Sequence, residues 1–344
     1  MRTLEARFKI IRNGADYGEL YAIGSPQLRM NDSSAIKMSL SGDFAKDDSF
    51  DFLTDRIRPE LVIDGEVFPI GIYLPATVQE SENENTRAVH IEAYDQCWLV
   101  QDVKTEDYVL FTAGQNYIDV IMSLLTECGI ALVVSHGTDA VLTEDRQDWD
   151  IGTSYLEIVN QLLSEINYNP LWFDNNGYAV LEPASIPTAA NIEHELDNTN
   201  VKSLLMPSIK RQTDIYKSPN VFVCICSNAD KDAPMVARAE NTNPQSPLSI
   251  PRRGRRIVSV INVDNISSQE ELQAYANRLV YESITTGEQI QVETALLPSY
   301  GVSDVIALHY GEIVALTVEH SWSMTLDTGG RMIHTLEKVV LNIE

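Results

Sequence analysis

The 344-residue sequence contains no apolar run approaching the ~18 residues that a membrane span needs. Its first ten residues alternate charged and apolar side chains, so neither an anchor nor a signal peptide is expected. Basic residues are scarce: 25 Lys and Arg face 50 Asp and Glu, for a net charge of −25. That balance opposes binding to nucleic-acid phosphates or to an anionic membrane surface, while an acidic wall that repels DNA stays compatible with it. The four cysteines, Cys97, Cys128, Cys224 and Cys226, are too few and scattered for a disulfide scaffold, and free thiols in a chain made in a reducing cytoplasm are expected.

Catalytic signatures are missing as well. There is no GxSxG, no papain-like or caspase-like cysteine context, no SxxK with its partners, and no glycine-rich phosphate cradle of the P-loop or dinucleotide type. Glycosidase chemistry needs only two carboxylates at the right separation, but abundance of acidic residues does not select a pair. The reading is therefore of a protein without catalytic residues, cofactor or metal. At 44% hydrophobic residues the composition is that of a folded protein, long enough for two or three domains.

What is present is strand periodicity at both ends and helix periodicity in the middle. From residue 1 to about 105, Thr3–Ile10 and Ala35–Gly42 alternate apolar and polar side chains as half-buried strands do. Glu60–Ile63, Asp64-Gly65 and Glu66–Ile70 form the clearest hairpin, because Asp-Gly tolerates the positive φ angles of a two-residue turn. Gly71–Leu74 and Arg87–Tyr94 continue an antiparallel meander across the polar stretch 79–86.

Residues 106–210 contain an internal near-repeat. Gly114, Tyr117, Leu124, Leu125 and Glu127 recur in register as Gly152, Tyr155, Leu162, Leu163 and Glu165. Tyr117, Val120, Ile121, Leu124 and Leu125 form one helical stripe, as do Tyr155, Ile158, Val159, Leu162 and Leu163. Asn116 with Asp119, and Ser154 with Glu157, supply helix starts. Each helix leads into an extended run, Ile130–Val134 and Asn169–Phe173, and the second turns at Asp174–Gly177 to return as Tyr178–Pro183. Two related helix–strand units result, too few for a solenoid.

Beyond residue 211 strands return at Asn220–Cys226, Ile257–Val263, Gln289–Ala295, Glu312–Val318 and Met332–Val340, with one helix over 267–284 whose apolar face holds Leu272, Tyr275, Ala276, Leu279 and Val280. The proline-bearing, charged stretch 228–256 reads as a long surface loop.

Three polar motifs stand out. Glu193, His194, Glu195 and Asp197 are suitable metal ligands by type, but match no HExxH spacing and read as a solvated acidic turn. Cys224 and Cys226 share one side of a strand and read as small buried hydrophobes rather than half of a metal site. Arg252, Arg253, Arg255 and Arg256 cluster in an acidic protein and read as a solvated loop or, more sharply, as a subunit contact to an acidic neighbour.

Taken in order, the β-rich first part, the unit from Ala113 to Ile121, the unit from Gly152 to Tyr168 with Trp172–Pro183, and the final helix-plus-strands part resemble baseplate hub (tail hub) proteins of contractile phage tails and phage-tail-like bacteriocins, in the T4-type hub family and its Gram-positive prophage branch. The resemblance spans nearly the whole chain and rests on packing and turn residues. It implies an α+β, β-rich fold: two tail-tube-type antiparallel β-barrel domains (1–105 and 211–344) with an inserted α/β region of two helix–strand units (106–210). It also implies a homotrimeric ring, assembled into a virion or tailocin particle, that joins a hexameric tail tube to the central spike. Implied partners are the tail tube or tube-initiator protein, a spike or LysM-type cell-wall-binding tail protein, and tape measure and baseplate wedge proteins. Alternatives are a cell-wall-directed hydrolase or carbohydrate-binding tail component, and a distal-tail adaptor of a non-contractile tail.

Overall fold

A computed structural model describes residues 3–82, 87–185, 187–200, 204–212, 218–226, 234–263, 266, 268–285 and 288–339. The chain is α+β and β-rich; among the described residues 45% are strand and 16% helix. Among the described residues no helix is long and apolar enough to cross a membrane.

The first stretch is all strand until a short helix: β1 (Leu4–Arg12), β2 (Ala15–Leu20), β3 (Gln27–Asn31), β4 (Met38–Ala45), β5 (Arg56–Ile63), β6 (Glu66–Pro69), β7 (Leu74–Glu82), β8 (Arg87–Tyr94) and α1 (Cys97–Asp102). The middle holds α2 (Tyr117–Glu127), β9 (Val133–Ser135), α3 (Tyr155–Glu165), β10 (Trp172–Phe173) and β11 (Ala179–Leu181). Then come β12 (His194–Asp197), β13 (Leu205–Gln212), β14 (Val221–Cys226), β15 (Met235–Glu240), α4 (Ile250–Arg253), β16 (Val258–Val263), α5 (Gln269–Thr285), β17 (Gln289–Ala295), β18 (Val305–Tyr310), β19 (Ile313–Thr325) and β20 (Arg331–Lys338).

These elements form two compact units. The first comprises residues 1–185, 294–302 and 321–333; the second comprises 186–293, 303–320 and 334–344. In the first, β2-β1-β5-β6 form one antiparallel sheet, and β7, β8, β4, β3 and the end of β19 pair in sequence in another. Phe8, Ile10, Leu28, Leu40, Phe44, Ile57, Leu61 and Ile91 are among its buried strand residues; β3, β4 and β8 alternate buried with more exposed positions as period 2 demands, whereas Pro59–Val62 of β5 are buried in succession. The β5–β6 hairpin turns at Asp64 (φ 52°) and Gly65 (φ 89°), both left-handed, so the Asp-Gly pair forms the primed turn expected of it. Part of the polar stretch between β7 and β8, residues 83–86, lies outside the described residues.

The middle of the same unit packs α2 and α3 over the small sheet β10-β11-β9, in which β9 and β11 run parallel. Asn116 Oδ1 accepts from the Ile118 and Asp119 amides at 2.9 and 3.4 Å, and Ser154 Oγ from the Glu157 amide at 3.2 Å, so both helices start where their capping residues stand. Val120, Ile121, Leu124 and Leu125 share one core with Ile158, Val159, Leu162 and Leu163. The repeated polar residues also meet: Tyr117 Oη donates to Glu165 at 2.9 Å, and Tyr155 Oη donates to Glu127 at 2.9 Å. Each helix's first residue thus reaches the other's last, which fixes the pair as antiparallel. The extended runs expected after the helices shorten to three and two residues of strand, because isolated bridges such as Tyr168↔Pro183 replace continuous pairing.

In the second unit β13-β17-β20-β19 lie in order, followed by β18 and β12. A separate sheet, β15-β14-β16, is covered by α5 through a core of Cys224, Cys226, Ala237, Ala239, Leu272 and Ala276. The helix expected over 267–284 is observed as α5 at 269–285, residue 267 lying outside the described residues. The stretch 228–256, expected to be a loop, contains β15 and α4. Met235–Glu240 alternates well enough to pair with β14, and Pro251 occupies the helix start, where a missing N–H leaves no bond unmade. Residues 228–233, and Val340 at the end of the last expected strand, lie outside the described residues.

Candidate assembly surface and polar clusters

The arginine run is shaped by local backbone chemistry. Ser249 caps α4, its Oγ accepting from the Arg252 amide at 3.4 Å, and Gly254 ends the turn at φ 63°. Asn220, fully buried, then holds the segment down. Its Nδ2 donates to the carbonyls of Leu248 (3.2 Å) and Arg255 (3.0 Å), and its Oδ1 accepts from the Ile257 amide at 2.7 Å. Replacing this side chain would strand buried amide and carbonyl groups. The sequence reading missed Asn220, since nothing in a strand-initial asparagine announces three long-range bonds.

The four arginines divide into two pairs. Arg253 Nη1 donates to the Ser218 carbonyl at 2.6 Å, and Arg256 is ion-paired with Glu240, which also pairs with Arg238 at 3.0 Å. Arg256 foremost, and Arg238 after it, hold the Glu240 carboxyl below its ordinary range. Arg252 and Arg255 are exposed, and among the described residues no acidic side chain pairs with them. Arg256 is exposed as well, although it keeps its pairing to Glu240.

They stand at the start of β16, an edge strand paired parallel to β14 on one side. The face of this sheet that α5 does not cover carries Val236, Val258 and Val260, 51%, 52% and 60% exposed. In register with them stand Arg238 and Glu240. Cys224 and Cys226 point to the α5 face as buried free thiols, and burial raises the Cys224 pKa.

The acidic motif at 193–197 is a strand, not a solvated turn. β12 runs parallel to β18, with His194 opposite Ile306, Glu195 opposite Ala307 and Asp197 opposite His309. Glu193 accepts from the Val305 amide at 3.0 Å, and His194 Nε2 lies 3.0 Å from Asp304 Oδ2, so both serve the fold. Glu195 and Asp197, one strand period apart, face His309 instead, with one ligand atom of each residue all within 4.8 Å of one another. Asp197 Oδ1 accepts from both the amide and hydroxyl of Thr199 at 2.7 Å, which holds its carboxyl below the usual range.

A second polar cluster is closed to ligands. His334 Nδ1 lies 2.6 Å from Glu319 Oε2, and both side chains have zero exposure. Burial, with the nearby His194 adding to it, pushes His334 down to about 3. No substrate reaches this pair.

The sequence matches no protein-family model and no curated protein. In fold, however, the chain is similar over nearly its whole length to solved tail proteins. One is the tail protein from Neisseria meningitidis MC58, at TM-score 0.69 and 11% identity, covering 97% of this chain and 96% of that one. Another is the 43 kDa tail protein of prophage MuSo2 from Shewanella oneidensis, at TM-score 0.68 and 13% identity, covering 97% and 98%. A third is the E. coli c3393 protein, described as a type VI secretion component with structural similarity to the T4 bacteriophage tail proteins gp27 and gp5; its TM-score is 0.55 at 9% identity, covering 96% and 77%. The chain has the fold of these tail proteins.

Proposed function

We propose that this chain is a structural subunit of a phage-type tail baseplate, a hub whose three copies form a ring between the hexameric tail tube and the central spike. The observation that carries the reading is the whole-length agreement of fold with tail proteins at 11–13% identity. Similarity confined to one sheet or one helical pair would not carry it. In this reading residues 1–105 and 211–344 supply the two tube-type barrels and 106–210 the insert between them. The chain is made in the bacterial cytoplasm and built into a virion or tailocin. It acts by burying surface against its own copies, tube or tube-initiator protein, and spike or LysM-type protein, with tape measure and wedge proteins adjacent. Interfaces of that obligate kind exceed roughly 2,000 Å². The Gram-positive prophage placement rests on the sequence resemblance.

Arg252 and Arg255, with Arg256 and the exposed valines beside them, are assigned to contact with an acidic neighbour. Light scattering of the purified chain tests the whole reading: the expected mass is three times 38.4 kDa, with a threefold ring in negative-stain images. A dispersed monomer at working concentration overturns the ring. Neutralising all four arginines without loss of assembly removes their assigned role. Turnover of peptidoglycan abolished by one carboxylate substitution would instead support the hydrolase alternative.

A further inference from the structure

The β12–β18 ladder brings three side chains of metal-ligating type together. Glu195 and Asp197 leave β12 on the same side, and Asp197 stands directly opposite His309 on β18. The strand ends are pinned beside them: the Asn198 amide donates to the His309 carbonyl at 3.0 Å, and Asn198 Oδ1 accepts from the Gly311 amide at 3.0 Å. Two carboxylates and an imidazole therefore converge on a backbone that cannot easily draw apart. They do not satisfy one another. Their ligand atoms come within 4.8 Å without closing into an ion pair, and among the described residues neither Glu195 nor His309 makes a side-chain hydrogen bond. Asp197 is anchored through Oδ1 alone, which leaves Oδ2 open.

We propose that Glu195, Asp197 and His309 bind one divalent transition-metal ion per chain, with zinc or manganese as the chemical class. One nitrogen and two carboxylate oxygens form a borderline donor set, which suits these ions; calcium and magnesium prefer oxygen alone and more of it. Ligand atoms about 2.0–2.2 Å from a shared ion stand roughly 3.4 Å from each other, so the cluster must contract by at most about 1.4 Å. The exposed Glu195 side chain provides that movement, while Asp197 and His309 stay fixed by the ladder. A dication also removes the repulsion between two neighbouring carboxylates in a chain of charge −25. Three protein ligands leave coordination positions for water or for a donor from a neighbouring molecule.

Isothermal titration of the full chain with zinc chloride tests this. The expected result is one ion per chain with a dissociation constant of roughly micromolar order, and far weaker binding of calcium and magnesium. His309→Gln and Asp197→Asn should each weaken zinc binding by about tenfold or more, whereas replacing the exposed His136, outside the cluster, should not. No binding at millimolar zinc, calcium binding as tight as zinc, or zinc affinity unmoved by His309→Gln overturns the proposal. Cobalt absorption of the unmodified chain gives a readout that needs no variant: visible bands of nitrogen–oxygen coordination are expected, and their absence also overturns it. The result is independent of oligomeric state, so it stands or falls apart from the hub reading.

Discussion

The helices Tyr117–Glu127 and Tyr155–Glu165 share four residues in register and clasp each other through reciprocal Tyr–Glu bonds, yet their glutamates live in different surroundings. Glu127 is exposed and meets only Tyr155 among the described residues. Glu165 is nearly buried and receives Arg146 through two bonds of 2.7 and 3.0 Å, with the guanidinium 3% exposed, paired also with Asp148 and set 5.1 Å over the Trp149 ring. A repeat thus reproduces the apolar stripe and the caps, while the connecting segment between the copies decides which polar end is buried. Arg146 belongs to that connector and has no counterpart in the first copy.

Disruption of that asymmetry should be graded. The four tryptophans all belong to the first compact unit, so tryptophan fluorescence during urea unfolding follows it. Arg146→Ala should cost most, about 3–5 kcal/mol, because Glu165 is left buried without its cation. Glu165→Gln should cost roughly 2 kcal/mol, since Arg146 keeps Asp148; equality with Glu127→Gln, expected below about 0.5 kcal/mol, would erase the comparison. Asn116→Ala and Ser154→Ala should each cost about 1 kcal/mol, with Asn116 the larger, as its Nδ2 also donates to the Thr138 carbonyl at 2.6 Å.

The smallest effect concerns pH. Burial, and then the bond to Glu127, push the Tyr155 phenol up to about 12. A phenol raised above its unfolded value contributes stability that is complete below about pH 10 and is lost as pH rises through 12. Ultraviolet titration of phenolate should show one late-ionising tyrosine disappear in Tyr155→Phe, and Glu127→Gln should bring the Tyr155 midpoint down. A midpoint unmoved by Glu127→Gln would mean that the reciprocal bond does not form.

How much of this was legible beforehand depends on the range of the interaction. The two helices, their stripes and their caps were readable because cap and stripe lie within one turn or one helix. The Asp64-Gly65 turn was readable for the same reason, and Asn13-Gly14, φ 51° and 76° between β1 and β2, was an equal signal left unused. Arg146 carried no signal, since its partner is 19 residues away on a different element. The 193–197 motif was misjudged as a turn because its strand character comes from pairing with β18, more than a hundred residues later. His309 could not be added to it without that pairing. The arginine run was visible as a cluster, but its division into Arg253 and Arg256, bonded within the chain, and Arg252 and Arg255, without an acidic partner among the described residues, required Ser218 and Glu240 to be placed.

The pairing of β3 with the end of β19 has a further consequence. Gln27 aligns with Thr325 and Asn31 with Ser321, so the first compact unit cannot complete its sheet from its own early residues. During synthesis β3 must wait, one edge unpaired, until residues 321–325 have left the ribosome, and a fragment ending at residue 185 would expose that edge permanently. The newborn chain, with this edge still unpaired, is therefore more exposed to aggregation than the folded one.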